Sequence, residues 1–530
     1  MPSSVQEALS STEAAQWKEA MDTEMDAMKS NHTWELPPLA RGAKPLRVMW
    51  VFTLKGGTEG EGGEKLRFKA RLVAKGCSQR PGLDFGEVYA PVGRAQTIRS
   101  VLAMAAARDL EVHQLDFTTA FLNGALGEEV WVQQAEGYEV GGASSRLFCR
   151  LRKALYGLKQ APRAWHATLK AALQEFGFKE GDADPGLVFK GEGLERVWVM
   201  VYVDDLLVVG ELSRVQEVKQ QLLEKFQGKD MGEARMFVGF RISRDRAART
   251  LHISQPAHAQ QLVEKVGLSQ SKGRGVPFST ADRVGAAGKA LSEGGKELYS
   301  EVVGSLLYLS THTRPDLAHA TGVLSRYMAC PTEELWALCK GVVRYLGGTS
   351  SMGINYGGVH AHTGLVGYVD SDYAGDTADR KSTSGFVFLQ AGGAVSWGSK
   401  KQSTVSSSTT EAEYVAAGLG AREARWFQKL GGDLEGWGEQ GKEGGWVGGA
   451  AAGPIQLYSD STSALSLLNN NVISARSKHI DVCYHVAREQ VELGTVVFAY
   501  CPTDKMKADM LTKPISTAKF SLFRAGIGMI

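Results

Sequence analysis

Apolar and polar positions alternate with two periods along this chain, one near 2 and one near 3.6, which predicts strands and helices interspersed throughout. In "EKLRFKARLVAKG" (Glu64–Gly76), Lys65, Arg67, Lys69, Arg71 and Lys75 share one parity, while Leu66, Phe68, Ala70 and Leu72 share the other. A strand here would carry its charges on one face and its apolar groups on the opposite face. The run "VWVMVYVDDLLVVG" (Val197–Gly210) does not alternate. It predicts two short buried strands, Val197–Val203 and Leu206–Val209, with Asp204 and Asp205 side by side between them. Helical period dominates "YSEVVGSLLYLSTHTRPDLAHATGVLSRYM", so the class is mixed α/β or α+β. Three glycine-rich stretches punctuate the pattern: a hairpin tip at 55–65, a linker at 269–297 and a low-complexity insert at 431–454.

Composition narrows the class without naming a chemistry. The 530 residues are 43% hydrophobic and 22% charged, enough for roughly three or four globular domains. A net charge of +2 means that any nucleic-acid surface must be local. Six scattered cysteines without a CxxC pair point to a reduced, intracellular protein lacking a structural zinc site. The polar, acidic N-terminus is no signal peptide, and the run around Asp204 is too short to span a bilayer, so the chain reads as soluble and not secreted.

Buried carboxylates are costly, and two adjacent ones raise each other's pKa. Aspartate tolerates the positive φ of a tight hairpin, yet Asn-Gly or Asp-Gly would suit such a turn better. A third acid, Asp116, ends a strand in "VHQLDFTTAFLNG" (Val112–Gly124). Alone it is a turn or cap residue. Three carboxylates at a hairpin tip and a neighbouring strand end are what a pair of Mg²⁺ ions about 3.5–4 Å apart requires, with Mn²⁺ as the alternative. The segment "LRKALYGLKQAPRAWHATLKAAL" (Leu151–Leu173) brings Arg152, Lys153, Lys159 and Arg163 to a helix start at Pro162. Its plain reading is a basic loop before an ordinary helix, and its functional one is a surface on which a nucleotide and its template base stack, with Lys159 and Gln160 as contacts.

"RFKARLVAKG", "QLDFTTAFLNG", "ALYGLKQAPRAW" and "YVDDLLVVG", in this order, resemble the reverse transcriptase of copia-type LTR retrotransposons. "KDMGEARMFVGFRIS", "VGSLLYLSTHTRPDLAHATGVLSRY" and "VVRYLGGT" extend the likeness from about Trp17 to beyond Thr512. The resemblance implies a right-hand polymerase of fingers, palm and thumb. Asp116, Asp204 and Asp205 then match the catalytic metal ligands, and Phe121 matches the residue that senses the sugar 2′ position. Lys69 and Arg71 would face the incoming triphosphate or the template.

Beyond Gly364 the elements predicted run β-β-β-α-β-α-α-β-α. Asp370 ends the first strand, Asp460 ends a later one, and Asp509 sits on the short helix in "DKMKADMLTKP". Each could be a cap or a solvated residue. Together they resemble ribonuclease H, whose four carboxylates hold two Mg²⁺ ions. The fourth match lies in "TTEAEYVAAGLG". Helical period does not choose between Glu411 and Glu413, and the family's Ala-Glu-apolar pattern falls on Glu413. Where relatives carry a histidine-bearing loop, this chain has only "CPTDKMK"; His479 and His485 lie on the preceding predicted helix.

The domains expected are fingers and palm over 15–255, thumb and connection over 256–360, and a ribonuclease H-like domain over 361–525. Such a chain would form the C-terminal part of a Pol polyprotein. It would act on an RNA template, a DNA primer, an RNA–DNA hybrid and deoxynucleoside triphosphates, alongside integrase and protease products. The setting would be a cytoplasmic virus-like particle, with nuclear delivery of the product and no membrane. The competing reading is a decayed or domesticated remnant that binds nucleic acid without catalysis; retention of all the matched carboxylates argues against it.

Overall fold

The computed structural model describes residues 1–55, 66–141, 147–282, 288–358, 364–434, 453–469 and 486–530. The expected hairpin tip, most of the low-complexity insert, and His479 and His485 lie outside these residues.

The apolar run Val197–Gly210 becomes a hairpin of strands Val197–Tyr202 and Asp205–Gly210, in the middle of a six-stranded antiparallel sheet. Its lack of alternation has a simple cause. Leu207 and Val209 enter a core on one face with Trp198 and Met200, while Leu206 and Val208 enter another with Val197, Val199 and Val201. A strand covered on both sides has no polar parity to display. Strand Glu111–Phe117 lies beside Asp205–Gly210, with Gly228–Glu233 at the sheet's edge.

The alternating segment forms strand Arg67–Ala74, paired antiparallel with Val48–Lys55. Ala70, Leu72 and Ala74 are buried and Lys69 and Arg71 are only partly covered, as the parity predicts. Helix Ala14–Ser30 closes the buried face, where Trp17 meets the Phe52 and Phe68 rings edge-on at 5.2 and 4.7 Å.

A second, five-stranded sheet follows, ordered Gly393–Lys401, Thr383–Gln390, Val366–Asp372, Ile455–Ser459, Val496–Tyr500. The first three strands are antiparallel and the last two join in parallel. Helix Thr409–Leu434 packs across it. The hairpin between the first two strands turns on Ala391 (φ 48°) and Gly392 (φ 83°), both left-handed as a two-residue primed turn requires.

The stretch 269–297, expected as a Gly/Ser-rich linker, is packed onto the fold in its described parts. Val276 and Phe278 are buried in the main core, Arg274 pairs with Asp282 at 2.7 Å, and a helix already starts at Glu293 with Ser292 as its cap. Two well-placed apolar residues outweigh the glycine-rich composition. That helix runs to His312 and breaks before Pro315, where the buried pair Arg314–Asp316 is joined by the Tyr345 hydroxyl at 2.6 Å.

The back of the first sheet and the second sheet share one core. Arg99, on helix Ala95–Arg108, is fully enclosed there; it donates to the carbonyls of Val395 (2.8 Å), Thr311 (3.0 Å) and His312 (2.9 Å), with its guanidinium 4.0 Å from the Trp397 ring. At the far end of helix Thr409–Leu434, the Asp433 carboxylate accepts from the backbone amides of Asp182 (2.9 Å) and Ala183 (2.8 Å). Among the described residues, no helix is long and apolar enough to cross a membrane.

Candidate active sites

The first site is built on strand register. Asp205 lies directly opposite Asp116 across the antiparallel pair, and the two-residue turn before it is Val203–Asp204. The positive φ expected of an aspartate falls instead on Val203 (φ 58°). Positive φ at the first central position normally calls for glycine, so a β-branched residue there is strained. Two bonds hold it: Trp165 Nε1 donates to the Val203 carbonyl at 2.7 Å, and the Phe117 amide donates to the Asp204 carbonyl at 3.0 Å. Burial pushes the Asp204 carboxyl above the usual carboxylate range and the nearby Asp116 charge adds to this, while Lys69 and Arg71 pull it down. Asp204, Asp116, Lys69 and Arg71 therefore share one electrostatic neighbourhood. Asp205 takes a different direction, its Oδ1 accepting from Gln114 Nε2 at 3.3 Å.

Phe121 lies in the turn Ala120–Asn123 that follows this strand. Its ring meets Tyr156 edge-on, with centroids 4.8 Å apart. Phe117 faces away, packed on Trp165 and Phe226. Tyr156 in turn carries the Arg71 guanidinium 4.7 Å from its ring, and Arg71 Nη1 donates to the buried Glu24 carboxylate at 2.5 Å. Lys159 has its ammonium 4.7 Å from the Phe85 ring and its amide on Gln79 Oε1. Gln160 is buried: Oε1 accepts from Gln79 at 3.0 Å and Nε2 donates to the Asp84 carbonyl at 3.2 Å. These two residues fasten the 79–85 loop to the helix that starts at Ala161.

In the second site the register is again the cause. Tyr368 pairs with Tyr458 across parallel strands, so Asp370 and Asp460, each two residues on, stand level on the same face. Asp509 arrives from the short helical turn Lys507–Leu511. Gly385, opposite Asp370, makes room for that turn; a Cβ there would meet Thr512 Cγ2 at 2.7 Å. Carboxylate oxygens of Asp370, Asp460 and Asp509 all lie within 4.8 Å of one another, the one such group of three among the described residues. Glu413 joins them. Burial and the charges of Asp370 and Asp460 drive its pKa up to about 9, and burial likewise takes Asp370 up to about 7. Glu411, by contrast, caps its own helix: it accepts from the Ser407 amide (2.7 Å) and hydroxyl (2.8 Å), while its amide donates to Ser408 Oγ. The geometry thus separates the two glutamates that helical period left open.

Several neighbours escape a reading by pattern. Lys513 Nζ sits 2.8 Å from Asp509 Oδ1 and 3.6 Å from Asp370 Oδ2, and Lys519 reaches Asp509 from the last helix. Thr512 donates to Asp370, and Thr503, within "CPTDKMK", donates to Asp460 at 2.7 Å. Lys513 is legible in principle as an i,i+4 partner of Asp509, and Tyr156 as the aromatic of "ALYGLKQAP"; Lys519 and Thr503 are not. Glu413 Oε2 is buried without a hydrogen-bond donor, and Asp509 Oδ1 faces the Lys513 ammonium alone. Acceptor-only oxygens converging at this range fit a hard divalent cation.

The family model for reverse transcriptase (RNA-dependent DNA polymerase) matches residues 31–280. Over 536 residues, and all of this chain, the sequence is 39% identical to the retrovirus-related Pol polyprotein from transposon TNT 1-94 of Nicotiana tabacum. It is 37% identical over 522 residues, 97% of the chain, to that from transposon RE2 of Arabidopsis thaliana. The chain spans 39% and 34% of the length of these two relatives. In fold it is similar to a foamy viral protease-reverse transcriptase solved with double-stranded DNA, with a TM-score of 0.50 at 11% identity, covering 92% of this chain and 70% of that one. With motif order, strand register and full-length similarity in agreement, the chain belongs to the reverse transcriptase family, in the form found in copia-type retrotransposon Pol polyproteins.

Proposed function

We propose that this chain copies RNA, and then DNA, into DNA, and that a second site hydrolyses the RNA strand of the resulting hybrid. The observation that carries the reading is that strand register brings acids together in two separate places: Asp205 opposite Asp116 with Asp204 in the adjoining turn, and Asp370 level with Asp460 beside Asp509. Residues 15–255 would form fingers and palm, 256–360 thumb and connection, and 361–525 the ribonuclease H-like domain.

Asp116, Asp204 and Asp205 would hold divalent cations at the first site, and Asp370, Glu413, Asp460 and Asp509 at the second. Bound there, Mg²⁺, or Mn²⁺ in its place, supplies Lewis-acid activation of the attacking oxygen and charge neutralisation at the leaving group. The primer 3′-hydroxyl attacks the α-phosphate of a deoxynucleoside triphosphate, and pyrophosphate leaves. Lys69 and Arg71 bring positive charge beside Asp204, where the triphosphate carries its negative charge. The Phe121 ring, in the turn after Asp116, would wall off the space that a ribose 2′-hydroxyl needs. At the second site, Thr512 and Thr503 orient the Asp370 and Asp460 carboxylates by donating to them. Partners on this reading are an RNA template, a DNA primer, the RNA–DNA hybrid and the protease and integrase products of the same polyprotein. The setting is a cytoplasmic virus-like particle with nuclear delivery of the DNA.

A cross-over experiment tests the assignment. Purified chain is assayed with Mg²⁺ for extension of a DNA primer on RNA and for cleavage of a preformed hybrid. Asp204→Asn with Asp205→Asn should abolish extension and spare cleavage, whereas Asp460→Asn should do the reverse. Loss of both activities in either folded variant contradicts the two-site reading.

A further inference from the structure

We infer that Tyr156 is a positioning residue for sugar selection, holding the Phe121 ring in place and being held in turn by the Arg71–Glu24 pair. The inference rests on the polymerase reading above and on Phe121 as the wall against the sugar.

Phe121 is poorly restrained by its own segment. It sits in a single short helical turn entered through Thr119 at φ 57°, and its side chain is only partly buried. Phe117, its aromatic neighbour in sequence, is sunk in a core that Phe121 touches only from its margin. A ring that excludes a hydroxyl by overlap must not swing aside, because displacement of about 1 Å opens the space that a hydroxyl needs. The edge-on contact with Tyr156, 4.8 Å between centroids, adds a directional aromatic restraint to the apolar contacts that Phe121 makes with two cores.

Tyr156 itself cannot move freely. Its carbonyl accepts from the Ala74 amide at 2.8 Å, which ties it to the end of strand Arg67–Ala74. Gly157 follows at φ 88°, and a Cβ on Gly76 would fall 2.0 Å from the Gly157 carbonyl oxygen, so the two backbones are in direct contact. The guanidinium of Arg71 lies 4.7 Å from the phenol ring centroid, on the side fixed by Glu24. Glu24 comes from helix Ala14–Ser30, Arg71 from the strand, Tyr156 from the approach to helix Ala161–Glu175, and Phe121 from the turn after Asp116. One line of contacts therefore runs from the N-terminal helix to the sugar wall. Phenol burial, with its pKa pushed up to about 12, keeps the Tyr156 ring neutral throughout.

The test is single-nucleotide extension by the full chain, comparing kcat/KM for matched ribo- and deoxynucleotides. Tyr156→Leu should raise the ribo-to-deoxy ratio roughly three- to tenfold, the worth of one aromatic edge contact, and Tyr156→Phe should leave it at the wild-type value. Phe121→Ala should raise the ratio further, and adding Tyr156→Leu to it should change nothing more, since both act through one ring. A folded Tyr156→Leu chain that slows both nucleotides equally makes Tyr156 a packing residue and overturns the inference. If Phe121→Ala leaves the ratio unchanged, the sugar wall itself is misassigned, and the fault lies in the underlying reading. Should Tyr156→Leu fail to fold, Glu24→Gln carries the decision: a smaller shift in the same direction supports the line of contacts, and an unchanged ratio refutes it.

Discussion

Val203 holds a φ of 58° at the tip of the Asp204 hairpin, a conformation that costs a β-branched residue about 1–3 kcal/mol unless its surroundings impose it. The Trp165 and Phe117 bonds do so. Val203→Gly should therefore raise the denaturation midpoint, corresponding to about 1 kcal/mol, while slowing extension because the Asp204 carboxylate loses a rigid base. Parallel urea titrations and primer-extension rates check both halves; a variant that is destabilised would show that no strain is stored there. Glu411→Ala should remove a helix cap, at about 0.5–2 kcal/mol, yet leave hybrid cleavage at the wild-type rate. Glu413→Gln should do the opposite. The two glutamates show where a sequence stops being legible. Both flank the same apolar stripe, and which one turns to Asp370 depends on how the helix is rotated against the sheet, which no local pattern contains. The Val203 strain is hidden for a related reason: two aspartates beside it look like the natural turn formers.

The second site combines strand ends, a helix and a short turn, and two of its acids, Asp370 and Glu413, respond to pH in the same direction. Folding takes Asp370 from an ordinary 3.8 up to about 7 and Glu413 from 4.5 up to about 9, in each case first through burial. The folded chain binds more protons than the unfolded one across this window, so unfolding releases them. Stability from these groups is present in full below about pH 4 and is lost as pH rises towards 9. In chelator, the melting temperature should fall from pH 5 to pH 8, and Mg²⁺ or Mn²⁺ should recover most of it at pH 8 and little at pH 5. Glu413→Gln should flatten the slope; an equally steep slope in that variant would assign the pH response to other groups. At this scale the chain was largely readable. The run Val197–Gly210, the parity of Arg67–Ala74 and the order of the later strands all appear where the pattern places them. The stretch 269–297 was misread because composition sees its glycines and not the two apolar side chains that anchor it.

Arg99 ties its helix to strand Gly393–Lys401 and to the end of helix Glu293–His312 through bonds that only the complete fold provides. Arg99→Met would leave the carbonyls of Val395, Thr311 and His312 without this donor in a closed core, and should destabilise the chain by about 2–5 kcal/mol. Extension and hybrid cleavage should then disappear together at one denaturant concentration, lower than in the wild type. Two well-separated inactivation midpoints would mean that the shared core carries little energy. Composition suggested separate units joined by a linker; the shared interior is invisible to it because its contacts span very long sequence separations. That separation also sets a timetable. The helix that bears Arg99 leaves the ribosome some 296 residues before Val395, an interval of about 15–60 s at typical elongation rates. Strands Glu111–Phe117 and Asp205–Gly210 can cover part of that helix early, but the side around Arg99 stays open for the whole interval, so the nascent chain gains from a chaperone until strand Gly393–Lys401 is made.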